Sequence, residues 1–136
     1  EHLADGLIHL IKLIRSLPEC GAGNQPAKIL VVAPPPIKMA KGRPEVSEKY
    51  GCEAGVILSH EFASAYKDAA KAYHCGYLDA GLYAEAGDAD GVHFTMESHP
   101  RLGKAIAEAI LAMDANNDGN TDEKHTVNKL KADIEM

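Results

Sequence analysis

Three things are scarce in this chain: clustered positive charge, long apolar runs and paired cysteines. The 136 residues carry 14 Lys and Arg against 20 Asp and Glu, a formal net charge of −6, and the basic residues are scattered. Nucleic acid or an anionic membrane surface would call for Lys and Arg gathered in one place, so neither is an expected partner. The longest wholly apolar runs, residues 29–33 and 109–113, fall far below the roughly 20 residues that span a bilayer, so no membrane anchor is expected. Cys20, Cys52 and Cys75 are odd in number, widely spaced and without a Cys-x-x-Cys pair. Neither a disulfide framework nor a structural zinc site follows from that spacing; buried or half-buried free thiols do. His60-Glu61 has no second His four residues after the first, which removes the zinc-protease helix. There are no internal repeats and no low-complexity segment.

What is present alternates in period. Apolar residues at Leu3, Leu7, Ile8, Leu10, Ile11, Leu13 and Ile14 predict an amphipathic helix over 3–17, stopped by Pro18. Residues 28–33 read as a strand apolar on both faces, which belongs in the middle of a covered sheet. Pro34, Pro35 and Pro36 end it, because each fixes φ and removes a donor. A long polar loop is then expected to about residue 52, bearing Lys38, Lys41, Arg43 and Glu45, either as a wall of a binding cleft or as a solvated excursion. A second helix is predicted over 56–74, a second buried strand over 76–80, and a third helix over 98–113 with Leu102, Ile106, Ile110 and Leu111 facing inward. Helix, strand, helix, strand, helix is about half of a doubly wound α/β domain.

Chemistry and fold coincide at Asp90-Gly91-Val92-His93, in the loop between the second strand and the third helix. An Asp three residues before a His can set its carboxylate against one ring nitrogen and leave the other free as a base. The spacing alone is weak, since Asp122 and His125 repeat it; the bland reading is a turn Asp and a half-buried His. Context adds weight. In open α/β sheets ligands bind outside the carboxyl ends of the strands, and topology brings the triple-proline loop and the Asp90 loop to that one edge. Gly21-Ala22-Gly23-Asn24 precedes a strand instead and is discounted as a ligand loop. His60, His74 and His99 read as helix-surface residues.

Several stretches together resemble the C-terminal half of an arylesterase of the SGNH (GDSL-like) hydrolase family. They are Ser16-Leu17-Pro18-Glu19-Cys20, then Ile29-Leu30-Val31-Val32-Ala33-Pro34-Pro35-Pro36-Ile37, and above all Asp90-Gly91-Val92-His93-Phe94-Thr95 running into Leu102-Gly103-Lys104-Ala105-Ile106-Ala107. The resemblance implies a three-layer α/β/α sandwich around a parallel sheet, flavodoxin-like and incomplete at its N-terminus, with residues 1–113 as part of the hydrolase domain. It implies that Asp90 orients His93 and that His93 is the general base of a carboxylic-ester hydrolase that needs no cofactor for catalysis. The family's nucleophilic Ser, in a Gly-Asp-Ser block, and its oxyanion-hole Gly and Asn lie in blocks that these residues do not contain. Ser16, Ser47, Ser59, Ser64 and Ser98 have no family counterpart as nucleophile. A small ester is therefore the expected substrate only when another segment completes the site, supplied by an N-terminal companion chain; a second copy of this chain is the other expected partner.

The tail, residues 114–136, changes character. Asp114, Asn116, Asp118, Gly119, Asn120 and Asp122 stand at positions 1, 3, 5, 6, 7 and 9 of an EF-hand-like loop, with His125 where the bidentate Glu would be. Asp114, Asn116, Asp118, Asn120 and Asp122 are thus candidate ligands of a weak Ca²⁺ site, against the bland reading of a polar tail forming turns. The loop also resembles those of dockerin modules, which pair two such loops. The alternative function is a non-catalytic fragment or calcium-binding interaction module that pairs with another chain.

Overall fold

The computed structural model describes residues 3–115. Helix α1 (Asp5–Arg15) leads, by way of a short 3₁₀ turn at Ala22–Asn24, to strand β1 (Leu30–Ala33). Helices α2 (Pro44–Lys49), α3 (Cys52–Ser59) and α4 (Phe62–Ala72) follow, then strand β2 (Gly76–Asp79), a 3₁₀ turn at Ala80–Leu82 and helix α5 (Ser98–Ala115). The class is α/β: β1 and β2 pair in parallel with Leu30 opposite Gly76 and Ala33 opposite Asp79, joined by a crossover that contains the helices.

Successive strand residues point to opposite sides, and two apolar clusters follow that alternation. Val31 joins Ile11 of α1 and Ala70 of α4, with Tyr66 and Tyr77 against them. Val32 and Leu78 instead pack on the cluster of Ala80, Ala84 and Leu102, with Phe94 and Ile106. Among the described residues β1 pairs with one neighbouring strand, β2. On the side of the first cluster Val31 and Ala33 are buried, whereas on the other side Leu30 and Val32 are half-covered.

The stretch 34–52 is not a continuous loop. Pro44 sits in the first turn of α2, where its missing N–H costs nothing and its fixed φ suits a helix. Arg43, just before it, has φ −143° and ψ 75°, outside the helical region that a following proline disfavours. α2 then abuts α3 at Gly55, where a Cβ would lie 1.7 Å from the Tyr50 carbonyl oxygen. Only glycine allows that approach.

The single helix expected over 56–74 is two. Val56, Ile57 and Leu58 are consecutive, and no one helix face can hold all three; Ile57 and Leu58 are exposed. The break follows Ser59, a buried residue whose hydroxyl donates to the Val56 carbonyl at 2.6 Å and accepts the Ile37 N–H at 3.0 Å. The next two N–H groups reach back only three residues, His60 to Ile57 and Glu61 to Leu58, before α4 opens on the Glu61 carbonyl.

α4 ends in a Schellman motif, with Cys75 N–H on the Ala70 carbonyl at 2.8 Å and His74 N–H on that of Lys71 at 3.2 Å. His74 therefore is not on the helix surface but occupies the left-handed position beyond it, at φ +51°. A non-glycine residue is strained there, so His74→Gly is expected to raise unfolding free energy by about 0.5–1 kcal/mol, read as a higher urea midpoint at unchanged slope. Arg15 crosses from α1 to donate to the Tyr73 carbonyl at that same helix end.

Two smaller expectations also change. Cys20 and Cys52 are exposed and only Cys75 is half-buried, because the first lies after α1 and the second opens α3 on the outer side. In α5, Leu102 and Leu111 are buried and Ile106 is partly so, but Ile110 is 47% exposed. At 100° per residue Ile110 and Leu111 cannot both face the same strand. No described helix is long and apolar enough to cross a membrane.

Candidate active site

The chain leaves β1 and β2 at the same edge, and the two exits are sewn together there. The Lys38 N–H donates to the Gly91 carbonyl at 2.8 Å, and the Lys41 N–H to that of Asp88 at 3.3 Å. Two surface ion pairs run alongside, Lys38 Nζ to Glu85 at 3.0 Å and Lys41 Nζ to Asp88 at 2.5 Å. The polar loop after the triple proline is thus one wall of the edge that holds Asp90 and His93. Exposed pairs of this kind add little stability; their value here is register.

Within that frame the loop 85–95 closes on itself. Ala86 and Phe94 form an antiparallel bridge, the Gly87 N–H donates to the His93 carbonyl at 2.7 Å, and the Gly91 N–H to that of Gly87 at 2.9 Å. Asp90 shapes the turn inside it: its Oδ1 accepts the backbone N–H groups of Val92 and His93, both at 2.9 Å. This is the local bonding that Asp offers in turns. Gly91 has φ +72°, and it lets Asp90 and His93 fold toward each other.

The second carboxylate oxygen is free for the ring. His93 Nδ1 lies 2.5 Å from Asp90 Oδ2, with the His93 side chain 89% exposed and that of Asp90 17% exposed. Nδ1–H donating to the carboxylate fixes the tautomer and leaves Nε2 as an acceptor facing solvent. The Val92 N–H, then the His93 ring and the His93 N–H, hold the Asp90 carboxyl well below the ordinary carboxylate range. Asp90 is therefore an anion throughout the neutral range and a stable partner for an imidazolium.

A feature that pattern reading missed holds the loop from below. Ser98, the first residue of α5, is wholly buried; its hydroxyl accepts the Glu85 N–H at 3.1 Å and shares a hydrogen with Thr95 at 2.8 Å. No spacing rule signals a serine that bonds thirteen residues back. Ser98→Ala leaves the Glu85 N–H without its acceptor, and a loss of about 1–3 kcal/mol is expected in chemical denaturation.

None of the other serines stands beside His93 as a nucleophile. The hydroxyls of Ser16, Ser47 and Ser59 are bonded to main-chain groups of Leu13, Ala40 and both Val56 and Ile37, respectively, and Ser64 lies on an exposed face of α4. Among the described residues no serine hydroxyl bonds to the His93 ring. Of the candidate calcium ligands, Asp114 lies in α5 with its carboxylate on Lys28 Nζ at 2.8 Å, while Asn116, Asp118, Asn120 and Asp122 fall outside the described residues.

Fold and site define a class: an α/β protein with a hydrogen-bonded Asp–His pair at the carboxyl edge of a parallel sheet. No family model matches the chain, and no curated protein matches it. Solved structures do. A carbohydrate acetylesterase from Sinorhizobium meliloti, Est24, is similar with a TM-score of 0.72 and 30% identity, over 82% of this chain and 51% of that one. A second carbohydrate acetylesterase family member from that organism gives 0.71 and 27%, over 79% and 49%. The aryl esterase of M. smegmatis gives 0.70 and 28%, over 81% and 50%. The chain thus resembles the carbohydrate acetylesterases and aryl esterases of the SGNH family, and it spans about half the length of the structures it matches.

Proposed function

We propose that the chain is the Asp- and His-bearing portion of an SGNH-type carboxylic-ester hydrolase. The single observation that carries this is the Asp90–His93 pair, with its bound carboxylate and solvent-facing Nε2, in a chain similar to known esterases. In the reaction, His93 Nε2 takes the proton of a serine hydroxyl as that oxygen attacks the ester carbonyl. It then returns the proton to the departing alkoxide, while Asp90 stabilises the imidazolium between the two steps. Water repeats the sequence on the acyl-enzyme, with His93 again as base.

The serine and the oxyanion donors come, on this reading, from a segment that extends the sheet. Two parallel strands are a poor sheet alone, and an open strand edge is a pairing site. The apolar residues Leu10, Leu13 and Leu17, each more than half exposed on and just after α1, and Ile110 on α5, suit burial beneath further elements. Completion in this way would give the three-layer α/β/α sandwich, with clusters already on opposite sides of β1 and β2.

The test is phenyl acetate hydrolysis by this chain alone and by the chain joined to the half of the M. smegmatis aryl esterase that it does not cover. The expected result is no turnover above buffer for the first and serine-dependent turnover for the second. A folded, monodisperse joined protein that remains inert would sink the proposal.

A further inference from the structure

Among the described residues three polar side chains are buried, Ser47, Ser59 and Ser98, and each accepts a main-chain N–H from one of the two loops that meet at the dyad. Ser98 takes that of Glu85 at 3.1 Å. Ser47, on α2, takes that of Ala40 at 2.8 Å, and Ser59, at the end of α3, that of Ile37 at 3.0 Å. We propose that Ser47 and Ser59 are positioning residues for the Asp90–His93 pair: by holding residues 37–41 against α2 and α3, they fix where the Asp90 turn stands at the sheet edge. Their effect on turnover rests on the esterase reading.

Residues 37–41 bond in two directions. The N–H groups of Ile37 and Ala40 go to the serines, whereas those of Lys38 and Lys41 go to the Gly91 and Asp88 carbonyls of the dyad turn, at 2.8 and 3.3 Å. The segment is thus a tie between the helices and the turn. It cannot slide toward the turn, because a Cβ on Gly91 would already lie 2.0 Å from the Lys38 carbonyl oxygen. Nor is it free at its start, where Pro34, Pro35 and Pro36 fix the chain leaving β1. Helices and turn also meet directly: Val46, Tyr50 and Val56 line, with Asp90 and Val92, an interstice with no room for water. An inward-facing helix position is ordinarily filled by hydrocarbon, and a buried hydroxyl costs free energy unless it is bonded. The N–H that each serine receives accounts for serine at both positions. In so close-packed a frame, a shift at α2 or α3 is carried to Asp90 and not absorbed on the way.

The experiment follows amide hydrogen exchange by NMR in the 136-residue chain and in its Ser47→Ala and Ser59→Ala variants. Each variant removes one acceptor, so protection of Ala40 or Ile37 falls whatever the role of the serine. The acceptors of Lys38 and Lys41 are untouched, yet these two amides are expected to lose about tenfold more protection than that of Gly76, which lies on the Ile29 carbonyl at 2.8 Å and reports opening of the sheet. Loss confined to Ile37 and Ala40, or equal loss at Lys38, Lys41 and Gly76, overturns the proposal. Ser47→Thr keeps the acceptor and should keep the parent's protection at Lys38 and Lys41; a loss equal to that of Ser47→Ala also counts against it. Every other residue of α2 is at least partly exposed, so the Ser47 variants keep the test readable should Ser59→Ala fail to fold. In the joined esterase each alanine variant should lower kcat about tenfold with KM unchanged, because a displaced base is felt in the transition state and not in substrate binding. Parent-like kcat in both variants would refute the positioning role. Exchange is read without turnover, so an inert joined parent would count against the esterase reading while the exchange pattern still decides whether the serines hold the turn.

Discussion

With His93 replaced by alanine, the joined esterase is expected to lose about four orders of magnitude in kcat/KM for phenyl acetate. The ring is the acceptor that the serine proton needs, and no other described imidazole stands on the Asp90 carboxylate. Because the His93 side chain is 89% exposed, its removal costs little packing, and the melting temperature should move by no more than a degree or two. Loss of activity together with loss of fold would mean a structural role instead.

Asp90→Asn separates orientation from basicity. An amide nitrogen facing Nδ1 favours the tautomer with its proton on Nε2, so the base points the wrong way and a loss of similar size, about 10⁴-fold, is expected. The pH dependence follows from the lowered Asp90 pKa. A carboxyl whose folded pKa lies below its unfolded value, about 3.9, contributes stability that is complete above that value and is lost as pH falls through the folded pKa. Between pH 5 and 8 Asp90 does not titrate, so the acid limb of the rate profile belongs to another group. Below about pH 4 the Asn variant should lose stability with falling pH less steeply than the parent. Parallel melting curves of the two proteins over pH 2–6 would show that the carboxylate is not held as described.

Much of this site was legible in the sequence because it is local. Asp90 bonds to residues two and three ahead of it, and such turns depend on residue types at fixed offsets. The strands were legible for the same reason, as short apolar runs between breakers. What escaped depends on tertiary neighbours. The break at Ser59 arises from a hydroxyl that serves Ile37, twenty-two residues away, and α2 depends on one proline that a polar stretch disguises. The exposure of Cys52 and Ile110 depends on which side each helix turns outward. The apolar pattern of β1 predicted a covered strand, whereas on one side Leu30 and Val32 are half-covered; pattern reports what a residue is suited to meet, not what is beside it.

Gly91→Ala tests whether the site is held by backbone geometry as well as by its side chains. A Cβ at this position would sit 2.0 Å from the Lys38 carbonyl oxygen and 2.8 Å from its carbon. Both are main-chain atoms, so no rotamer change relieves the clash. The φ of +72° adds roughly 1–2 kcal/mol for any L side chain. The loop must therefore withdraw from the triple-proline exit, and the hydrogen bond from Lys38 to the Gly91 carbonyl breaks. A loss of about 3 kcal/mol or more is expected in chemical denaturation, with large amide shifts at Lys38 and His93. In the joined esterase a dyad displaced by about 1 Å should also cost about 10²-fold in kcat, even at temperatures where the variant is folded. Gly87→Ala is the matched comparison, since a Cβ there meets the His93 carbonyl oxygen at 3.4 Å, an ordinary contact. It should cost under about 1 kcal/mol. Equal losses at the two glycines would mean that the loop resents any side chain, and would remove the specific role of the Gly91–Lys38 approach in presenting Asp90 to His93.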